Sequence, residues 1–335
     1  MDTIKHLLPQ VDRYFKANLH THSNISDGSL SPREVKDVYK SKGYSILSIT
    51  DHNIVADHSN LNDDDFLMLT GAEYNIEESS NWDCYCKTYH LNFISKRPDL
   101  LWQPFAKEKY RDDVLPYLEK ATIEHMPKEY SIEALNSMIA RANEMGCLVM
   151  YNHPGWSMQD YTDYAELKGL WGMELSNYES GSCDQDNSAV YRILMNSTGR
   201  IFPIGADDAH IKQTMGGAWI MVGAEKLEYD CVIRALEQGD FYASTGPEIY
   251  SVTWDGACLT VTCSDAKTVS INCGNRWARC IKPVNNDGLL RQAQFDLRSW
   301  LDICTGQTSD WFRVVVQGPY GHYASTRAFT REELR

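Results

Sequence analysis

Two histidines separated by one residue near the start of the chain raise the first chemical question. The stretch "ANLHTHSNISDGSLSP" (17–32) holds His20 and His22 directly after a short apolar run. Side chains at i and i+2 of a strand point to the same face, so the two imidazoles would be aimed at one point, as in a metal site. A pair of surface histidines at a strand end would look the same. The tripeptide alone does not decide between the two interpretations.

Further candidate ligands occur where other predicted strands end. Six of the ten histidines and three acidic residues share this position, and they are His20, His22, Asp27, His52, Glu73, His90, His153, Asp208 and His210. The remaining histidines, such as His125, do not share it and serve as ordinary histidines for comparison. Imidazole and carboxylate without thiolate suit manganese, zinc or iron, ahead of magnesium. Nine ligands are too many for one ion, so the pattern predicts two to three divalent ions.

Alternating strand and helix patterns would position these side chains. The helix pattern "SPREVKDVYKSKG" begins with a capping box at Ser31 and Glu34, and "SIEALNSMIARANEMG" and residues 184–197 are two further predicted helices. Apolar strands that end in polar residues lie between them, among them "YSILSITDHN", "CLVMYNHPGW" and "RIFPIGADDAH". This order predicts a parallel α/β fold. In an α/β barrel the carboxyl ends of the strands form the active face.

The pattern changes around residue 245. Beyond it, short alternating runs separated by Gly, Asp and Asn predict a small all-β domain over 248–335, after a metal-binding domain over 1–247. The irregular segment 96–130 is expected to form a long loop or excursion near the site.

Composition limits the partners. The formal net charge is −14 and no basic stripe is present, so long nucleic acid is not expected as a partner, whereas a small anion could bind at a local positive centre.

No apolar run approaches the length of a membrane span and no secretory signal is visible, so we expect a cytoplasmic protein that does not contact a membrane. None of the ten cysteines forms a C-x-x-C pair, which favours buried thiols. The oligomeric state stays open.

Six motifs taken in order carry a family resemblance. "HTHSNISDG", "TDHN", "GAE", the histidine of "YHLNF", "NHPGW" and "DDAH" resemble the motifs of the PHP (polymerase and histidinol phosphatase) metal-dependent phosphoesterase family over residues 14–247. "ALEQGDFYASTGPEI" resembles the hinge that joins a small C-terminal β domain in free-standing members. The resemblance implies a distorted seven-stranded (β/α) barrel, TIM-like in kind, with a trinuclear metal centre.

The resemblance also implies which residues hold which ion. The three sets are His20, His22, Glu73 and Asp208; Glu73, His90 and His153; and Asp27, His52 and His210. Glu73 would bridge the first two ions. "GADDAH" offers Asp207 as well as Asp208, and the family pattern D-x-H selects Asp208.

A metal centre of this kind predicts hydrolysis of a phosphate ester. A hydroxide that bridges the ions would attack phosphorus in line, while the ions polarise the phosphoryl oxygens. Asp51, next to His52, could supply the leaving-group proton or orient a ligand histidine. Lys96 and Arg97 could clamp the phosphate, or form a solvated loop pair.

The expected substrate is a small phosphomonoester, with a nucleoside monophosphate as first candidate. Three alternatives stay open: a phosphodiesterase or 5′ exonuclease acting on short oligonucleotides, a metal hydrolase of C–N bonds, and a non-catalytic scaffold. A C–N hydrolase would usually need a bridging carbamylated lysine, and a scaffold would have lost ligands.

Overall fold

The computed structural model describes residues 4–79, 85–106, 109–283 and 288–334. The first twelve strands are β1 (Lys5–His6), β2 (Phe15–Asn18), β3 (Ile46–Ile49), β4 (Leu67–Glu77), β5 (Thr88–Ser95), β6 (Trp102–Gln103), β7 (Thr122–Ile123), β8 (Cys147–Tyr151), β9 (Gly172–Asn177), β10 (Phe202–Ala206), β11 (Trp219–Val222) and β12 (Phe241–Ser244). The later strands are β13 (Ile249–Trp254), β14 (Cys258–Ala266), β15 (Thr268–Cys273), β16 (Ala278–Ile281), β17 (Leu290–Asp296), β18 (Trp311–Gln317), β19 (Tyr323–Thr326) and β20 (Phe329–Thr330). The helices are α1 (Pro32–Ser41), α2 (Leu115–Leu118), α3 (Ile132–Met145), α4 (Tyr161–Tyr164), α5 (Ser188–Thr198), α6 (Tyr229–Gln238) and α7 (Arg298–Ile303).

Most strands belong to one long sheet. Its order is β10-β9-β8-β5-β4-β3-β2-β11-β12-β19-β18-β15-β16, and β20 pairs with β18. The pairs β2/β3, β3/β4, β8/β9 and β9/β10 are parallel, and helices alternate with these strands along the chain. The predicted α/β class is therefore confirmed.

The sequence predicted parallel strands, and this prediction is wrong at two of them. β5 runs antiparallel to both β4 and β8, and β11 runs antiparallel to β2. The reason lies in the connection between β4 and β5, because β4 ends at Glu77 and β5 begins at Thr88. A crossover between parallel strands needs a dozen or more residues and usually a helix. The shorter connection returns the chain directly, so β5 begins at the edge where β4 ends.

The segments that follow β2 and β10 lie side by side. Thr21 and Ala209 form an isolated parallel bridge. The His22 amide donates to the Ala209 carbonyl at 3.0 Å, and the Asp208 amide donates to the His20 carbonyl at 2.9 Å. Residues 20–22 and residues 208–209, which are far apart in the chain, are thus joined by main-chain hydrogen bonds.

Helix caps follow the sequence signals. The capping box of α1 is confirmed, because the Ser31 side chain accepts from the Glu34 amide and the Glu34 carboxylate accepts from the Ser31 amide. Its apolar face buries Val35 and Tyr39. α5 begins at Ser188, later than predicted. The residues before it form a loop that lines two cavities described below.

The C-terminal region is mainly β structure. β13, β14 and β17 form a separate sheet together with β1, so the N-terminal strand lies with the C-terminal sheet. The prediction that this region contains only β structure is wrong at α7, a short helix whose Trp300 side chain is buried. The predicted domain boundary at residue 247 stays a prediction.

The segment 96–130 contains β6, α2 and β7 and reaches the loop that follows β2. The Arg111 guanidinium donates to the carbonyls of Asn24 and Ser26 at 2.6 and 3.2 Å. The Tyr110 hydroxyl donates to the Asn53 carbonyl at 3.1 Å. Within the described ranges, no helix is both long enough and apolar enough to cross a bilayer.

Candidate metal centre

The two histidines of the first motif point at one place. His20 and His22 are fully buried, and their Nε2 atoms lie 3.2 Å apart. Both nitrogens face Asp208, whose Oδ1 is 3.0 Å from His20 Nε2 and 2.9 Å from His22 Nε2. The strand-end geometry expected from the H-x-H spacing is present.

Glu73 lies at the centre of the cluster. Its carboxylate is fully buried, and β4 carries it to the edge where β2 and β3 end. Five imidazole nitrogens lie within 3.4 Å of its oxygens: His20 Nε2 at 3.2 Å, His22 Nε2 at 3.4 Å, His52 Nδ1 at 3.1 Å, His90 Nδ1 at 3.0 Å and His153 Nε2 at 3.4 Å. A carboxylate surrounded in this way can contact two ions.

A third group lies on the more open side of the cluster. Asp27 Oδ2 is 3.5 Å from His52 Nε2 and 3.5 Å from His210 Nε2. Asp27 Oδ1 is 3.7 Å from His22 Nδ1. The Asp27 side chain is 52% exposed, so this is the part of the cluster that a substrate would reach first.

Asp208 and Asp207 point in different directions. Asp208 adopts a left-handed backbone conformation, with φ of 54°, that turns its side chain into the cluster. Asp207 turns away and accepts hydrogen bonds from the Tyr39 hydroxyl and the amides of residues 216–218 at 2.6 to 2.9 Å. Burial raises the pKa of the Asp207 carboxyl to about 6. The structure thus brings Asp208, the residue chosen in the sequence, to the predicted ligands.

All nine predicted ligands converge. Ligand atoms within 4.8 Å of one another form four groups: His20, His22, Glu73 and Asp208; His22, Asp27, His52 and His210; His52, Glu73 and His90; and His20, His153 and Glu174. The first coincides with the first predicted set, and the second contains the third predicted set. His90 and His153, predicted to share an ion, fall into separate groups.

The donor set fits metal ions. Among the described residues, the buried atoms Glu73 Oε2, His22 Nδ1 and His52 Nδ1 have no hydrogen-bond partner. Glu73 Oε2 and His52 Nδ1 lie 3.1 Å apart without the geometry of a hydrogen bond. Buried polar atoms are normally paired, so lone pairs that converge in this way call for a shared cation.

Several imidazoles are held so that Nε2 faces the cluster. His20 Nδ1 lies 2.7 Å from Glu174 Oε1, and His210 Nδ1 lies 2.8 Å from the Asp208 carbonyl. His153 Nδ1 lies 3.2 Å from the Ser157 hydroxyl. A partner that accepts from Nδ1 fixes the tautomer and leaves the Nε2 lone pair free for a metal.

The ionisable groups of the cluster shift one another's pKa values. Burial alone would raise the pKa of Glu73, but the neighbouring imidazoles hold it well below its usual range. Burial would lower the pKa of His153, but the Glu73 hydrogen bond and the charges of Asp208 and Glu174 raise it to about 9. Burial lowers the pKa of His52 to about 3. Metal binding would therefore displace protons from some of these imidazoles.

Sequence reasoning missed Glu174. In this fully buried residue of β9, Oε1 lies 2.7 Å from His20 Nδ1. Its Oε2 accepts from the main-chain amide of His153 at 2.8 Å and from the side-chain amide of Asn177 at 2.8 Å. A charged residue inside the apolar strand "LWGMELSN" was the available signal. Asn152, also missed, donates to Glu73 Oε1 at 2.7 Å.

Asp51 holds the loop that carries two ligands. Its oxygens accept from the amide and hydroxyl of Ser23 at 2.8 and 2.6 Å and from those of Ser26 at 3.2 and 2.7 Å. This arrangement favours a positioning role for Asp51, directed at the loop from His22 to Asp27, over proton donation.

Lys96 and Arg97 are not brought to the cluster. Because β5 is antiparallel, His90 lies near its beginning at the metal edge, and Lys96 follows its far end about 20 Å along the strand direction. Lys96 pairs there with Glu237 at 2.7 Å, and exposed Arg97 lies 3.6 Å from Asp99. The phosphate-clamp hypothesis for Lys96 and Arg97 is therefore wrong, and the alternative of a solvated pair away from the site agrees with their positions.

A cavity of about 700 Å³ opens onto the cluster. Predicted ligands line it together with acidic side chains such as Glu77 and Glu179. Lys128 lines it too and pairs with Glu77 at 3.0 Å. Trp156 is 48% exposed, and its ring centroid lies 5.5 Å from that of His90 and 5.2 Å from that of His153.

Comparisons with known proteins yield similar structures only. No family model matches the chain, and no curated protein matches it significantly. A two-domain protein from Bacteroides vulgatus, described as containing a predicted PHP-like metal-dependent phosphoesterase, has a TM-score of 0.45 and 15% identity over 97% of this chain and 98% of its own. An amidohydrolase from Chromobacterium violaceum with bound sulfate has a TM-score of 0.40 and 19% identity over 67% and 96%. The lesion-specific endonuclease EndoQ from Pyrococcus furiosus has a TM-score of 0.40 and 14% identity over 67% and 56%. At these values the similarities carry no further conclusion.

Proposed function

We propose that this chain is a metal-dependent phosphoesterase of the PHP type, and that it hydrolyses a small phosphomonoester with the help of two to three divalent ions. The observation that carries the proposal is the convergence of six imidazoles and three carboxylates, from six separate segments of the chain, on one cavity. The main-chain hydrogen bonds between residues 20–22 and 208–209 support a closed, distorted barrel as the scaffold. Manganese, zinc or iron suits the donor set.

The residues around the ions have distinct tasks. Ions bound here would acidify a water and polarise the phosphoryl oxygens, which is the chemistry that phosphate ester hydrolysis requires. Glu73 would contact two ions from the centre of the cluster. Glu174 would keep His20 Nε2 and the His153 segment aimed at the metals. Asp51 would hold the loop from His22 to Asp27 in place.

Trp156 supports a nucleoside monophosphate as substrate. Its half-exposed indole lies beside His90 and His153 at the cavity wall. An aromatic ring at that distance from the metal ligands could stack on a base while the phosphate reaches the ions, and such stacking contributes about 1–3 kcal/mol. The acidic cavity wall and the net charge of −14 oppose a long polyanion.

The C–N hydrolase alternative has less support. Glu73 occupies the centre of the cluster, where a bridging carbamylated lysine would stand. Among the described residues that line the cavity, the one lysine is Lys128, which pairs with Glu77 at the wall.

The first test is an activity panel. The metal-free protein is reconstituted with manganese, zinc, iron or magnesium and assayed on nucleoside monophosphates, sugar phosphates, short oligonucleotides and long DNA. We expect phosphate release from small monoesters with at least one of the first three metals. Efficient degradation of long nucleic acid, with every small monoester left intact, would replace this proposal by the exonuclease alternative.

A second test examines whether the Trp156 indole stacks on the base of a nucleoside monophosphate. Trp156→Ala should raise KM for a nucleoside monophosphate about tenfold. KM for an aliphatic phosphate ester of the same charge should change little. Tyr161→Ala removes an aromatic ring that is 61% exposed and serves as the matched control. Equal losses on both substrates would argue against base stacking.

A further inference from the structure

A second, smaller cavity lies between the loop before α5 and the sheet face of β15, β18 and β19. Its volume is about 250 Å³, and most of the side chains around it are hydroxyls and amides. Ser188 at the start of α5 lines one side, and Ser270, Asn272 and Ser325 line the other. No part of the proposed metal centre lies in it.

The cavity contains a buried guanidinium. Arg313 in β18 is 3% exposed and lies over the Tyr191 ring, 5.2 Å from its centroid. It donates from Nη1 to the Ser325 hydroxyl at 2.7 Å and from Nη2 to the Ser188 hydroxyl. Both partners are neutral. Within the described ranges, no carboxylate lies within ion-pair distance of Arg313.

The nearest negative charge reaches the guanidinium only indirectly. Asp186 also lines the cavity but is exposed. Its carboxylate accepts from the amide and hydroxyl of Ser188, so it reaches Arg313 through one hydroxyl. Removing a charge from water costs several kcal/mol unless it is paired and fully hydrogen-bonded. A guanidinium carries five N–H donors, and neutral groups of the chain occupy two of those of Arg313. Among the described residues, no anion therefore accepts a hydrogen bond directly from this guanidinium.

A further donor lies opposite the guanidinium. Asn272 pairs in register with Arg313 across β15 and β18, and both side chains line the cavity. The Asn272 side chain is half-buried and brings an amide donor to the cavity wall. A planar guanidinium binds carboxylate or phosphate through two parallel hydrogen bonds, and an adjacent amide can donate a third.

We propose that this cavity binds a compact oxyanion, a phosphate or a carboxylate, with Arg313 as its central donor and Asn272 as a second one. Drug-sized ligands occupy pockets of about 300–1,000 Å³, so a cavity of about 250 Å³ suits an ion or a small ligand fragment. The proposal does not depend on the phosphoesterase function, because none of its residues belongs to the metal cluster.

The test is an anion titration of the full-length chain. In the Asp208→Ala variant, a metal-bound anion does not contribute, so inorganic phosphate and acetate are each titrated into it by calorimetry, and the same solutions are followed by thermal unfolding. We expect saturable binding of at least one of the two anions and a matching rise in Tm. The anion that binds identifies the ligand as phosphate or carboxylate.

Added substitutions locate the binding site. Arg313→Gln should weaken binding at least about tenfold, whereas Arg279→Gln, which removes an exposed arginine in β16, should leave it within about twofold. Ser270→Phe fills the cavity while Arg313 stays in place, and it should abolish binding. This second variant decides the matter if Arg313→Gln does not fold. Absence of binding by both anions, or binding that survives Ser270→Phe, would overturn the proposal.

Discussion

The two cavities of this protein are electrostatic opposites. The larger one opens onto a cluster of nine ionisable side chains whose nitrogen and oxygen lone pairs converge, and several buried atoms of this cluster have no hydrogen-bond partner among the described residues. The smaller one surrounds a single buried cation mainly with neutral hydroxyls and amides, and the exposed Asp186 carboxylate also lines it. The occupant proposed for the first is therefore cationic and the occupant proposed for the second is anionic, because buried polar groups are normally paired.

The two cavities also differ in construction. The candidate ligands at the larger cavity come from loops at the carboxyl ends of parallel strands, from β4 and from the beginning of β5. The smaller cavity uses the face of a sheet and the loop before α5. Residues 179–180 of that loop line the larger cavity, and residues 185–186, together with Ser188 at the start of α5, line the smaller one. The loop is the structural element that they share.

Removal of a central ligand should produce the largest effect. Asp208→Ala and His20→Ala should each lose bound metal and lower phosphoesterase activity by orders of magnitude, because each leaves buried charges without their cation. Elemental analysis after saturation with manganese or zinc measures the first effect, and initial rates measure the second. We expect two to three ions per wild-type chain.

The matched control lies outside both cavities. His125→Asn replaces an exposed histidine with φ of 58°, a conformation that asparagine tolerates, and should leave metal content and rate unchanged. At most one ion per saturated wild-type chain would contradict a multinuclear centre.

Loss of the buried carboxylate behind the ligands should have an intermediate effect. Glu174→Gln keeps the shape of the side chain but removes the charge that faces His20 Nδ1. Substitutions of such partners typically weaken metal binding by about 10–100-fold. Competition with a chromogenic chelator measures that affinity, and Glu166→Gln, at a position outside both cavities, is the control. Wild-type affinity in Glu174→Gln would show that Glu174 does not tune the centre.

The smallest effect belongs to the second cavity. Ser188→Ala removes one acceptor from Arg313 and should lower the free energy of unfolding by about 1–2 kcal/mol. Urea denaturation measures the change, and metal content should stay at the wild-type level. A loss of metal in this variant would show that the loop before α5 couples the two cavities, and the contrast between them would then need revision.

The sequence predicted the larger cavity well and the smaller one not at all. Histidines and acids at strand ends are uncommon enough to form a recognisable pattern, which is how Glu73 and Asp208 were found. Arg313 lies in "WFRVVVQ", an ordinary β run, and nothing in the sequence indicates that Ser188, 125 residues away, and Ser325 are its partners. Its burial without a counter-ion is a property of the tertiary structure.

Two errors concerning the larger cavity have physical causes. Strand direction was inferred from alternation, so the reversal of β5 and the resulting position of Lys96 were missed. Glu174 was missed because one charged residue in an apolar strand does not reveal which ligand it will support. The start of α1 was predicted correctly because its N-cap residue, Ser31, is recognisable in the sequence. The start of α5 was predicted less well, because it follows a loop in which Asp184 accepts hydrogen bonds from the main-chain amides of Gly155 and Trp156.

The distance along the chain between the ligands has a consequence for folding order. His20 and His210 stand about 190 residues apart, and His52, Glu73, His90 and His153 are spread between them. Closing loops of this length costs entropy that only later contacts recover, so the complete donor set can form only when the chain has largely folded. An ion that binds this set would therefore bind late in folding and stabilise the native state. Its binding free energy would add to the free energy of unfolding.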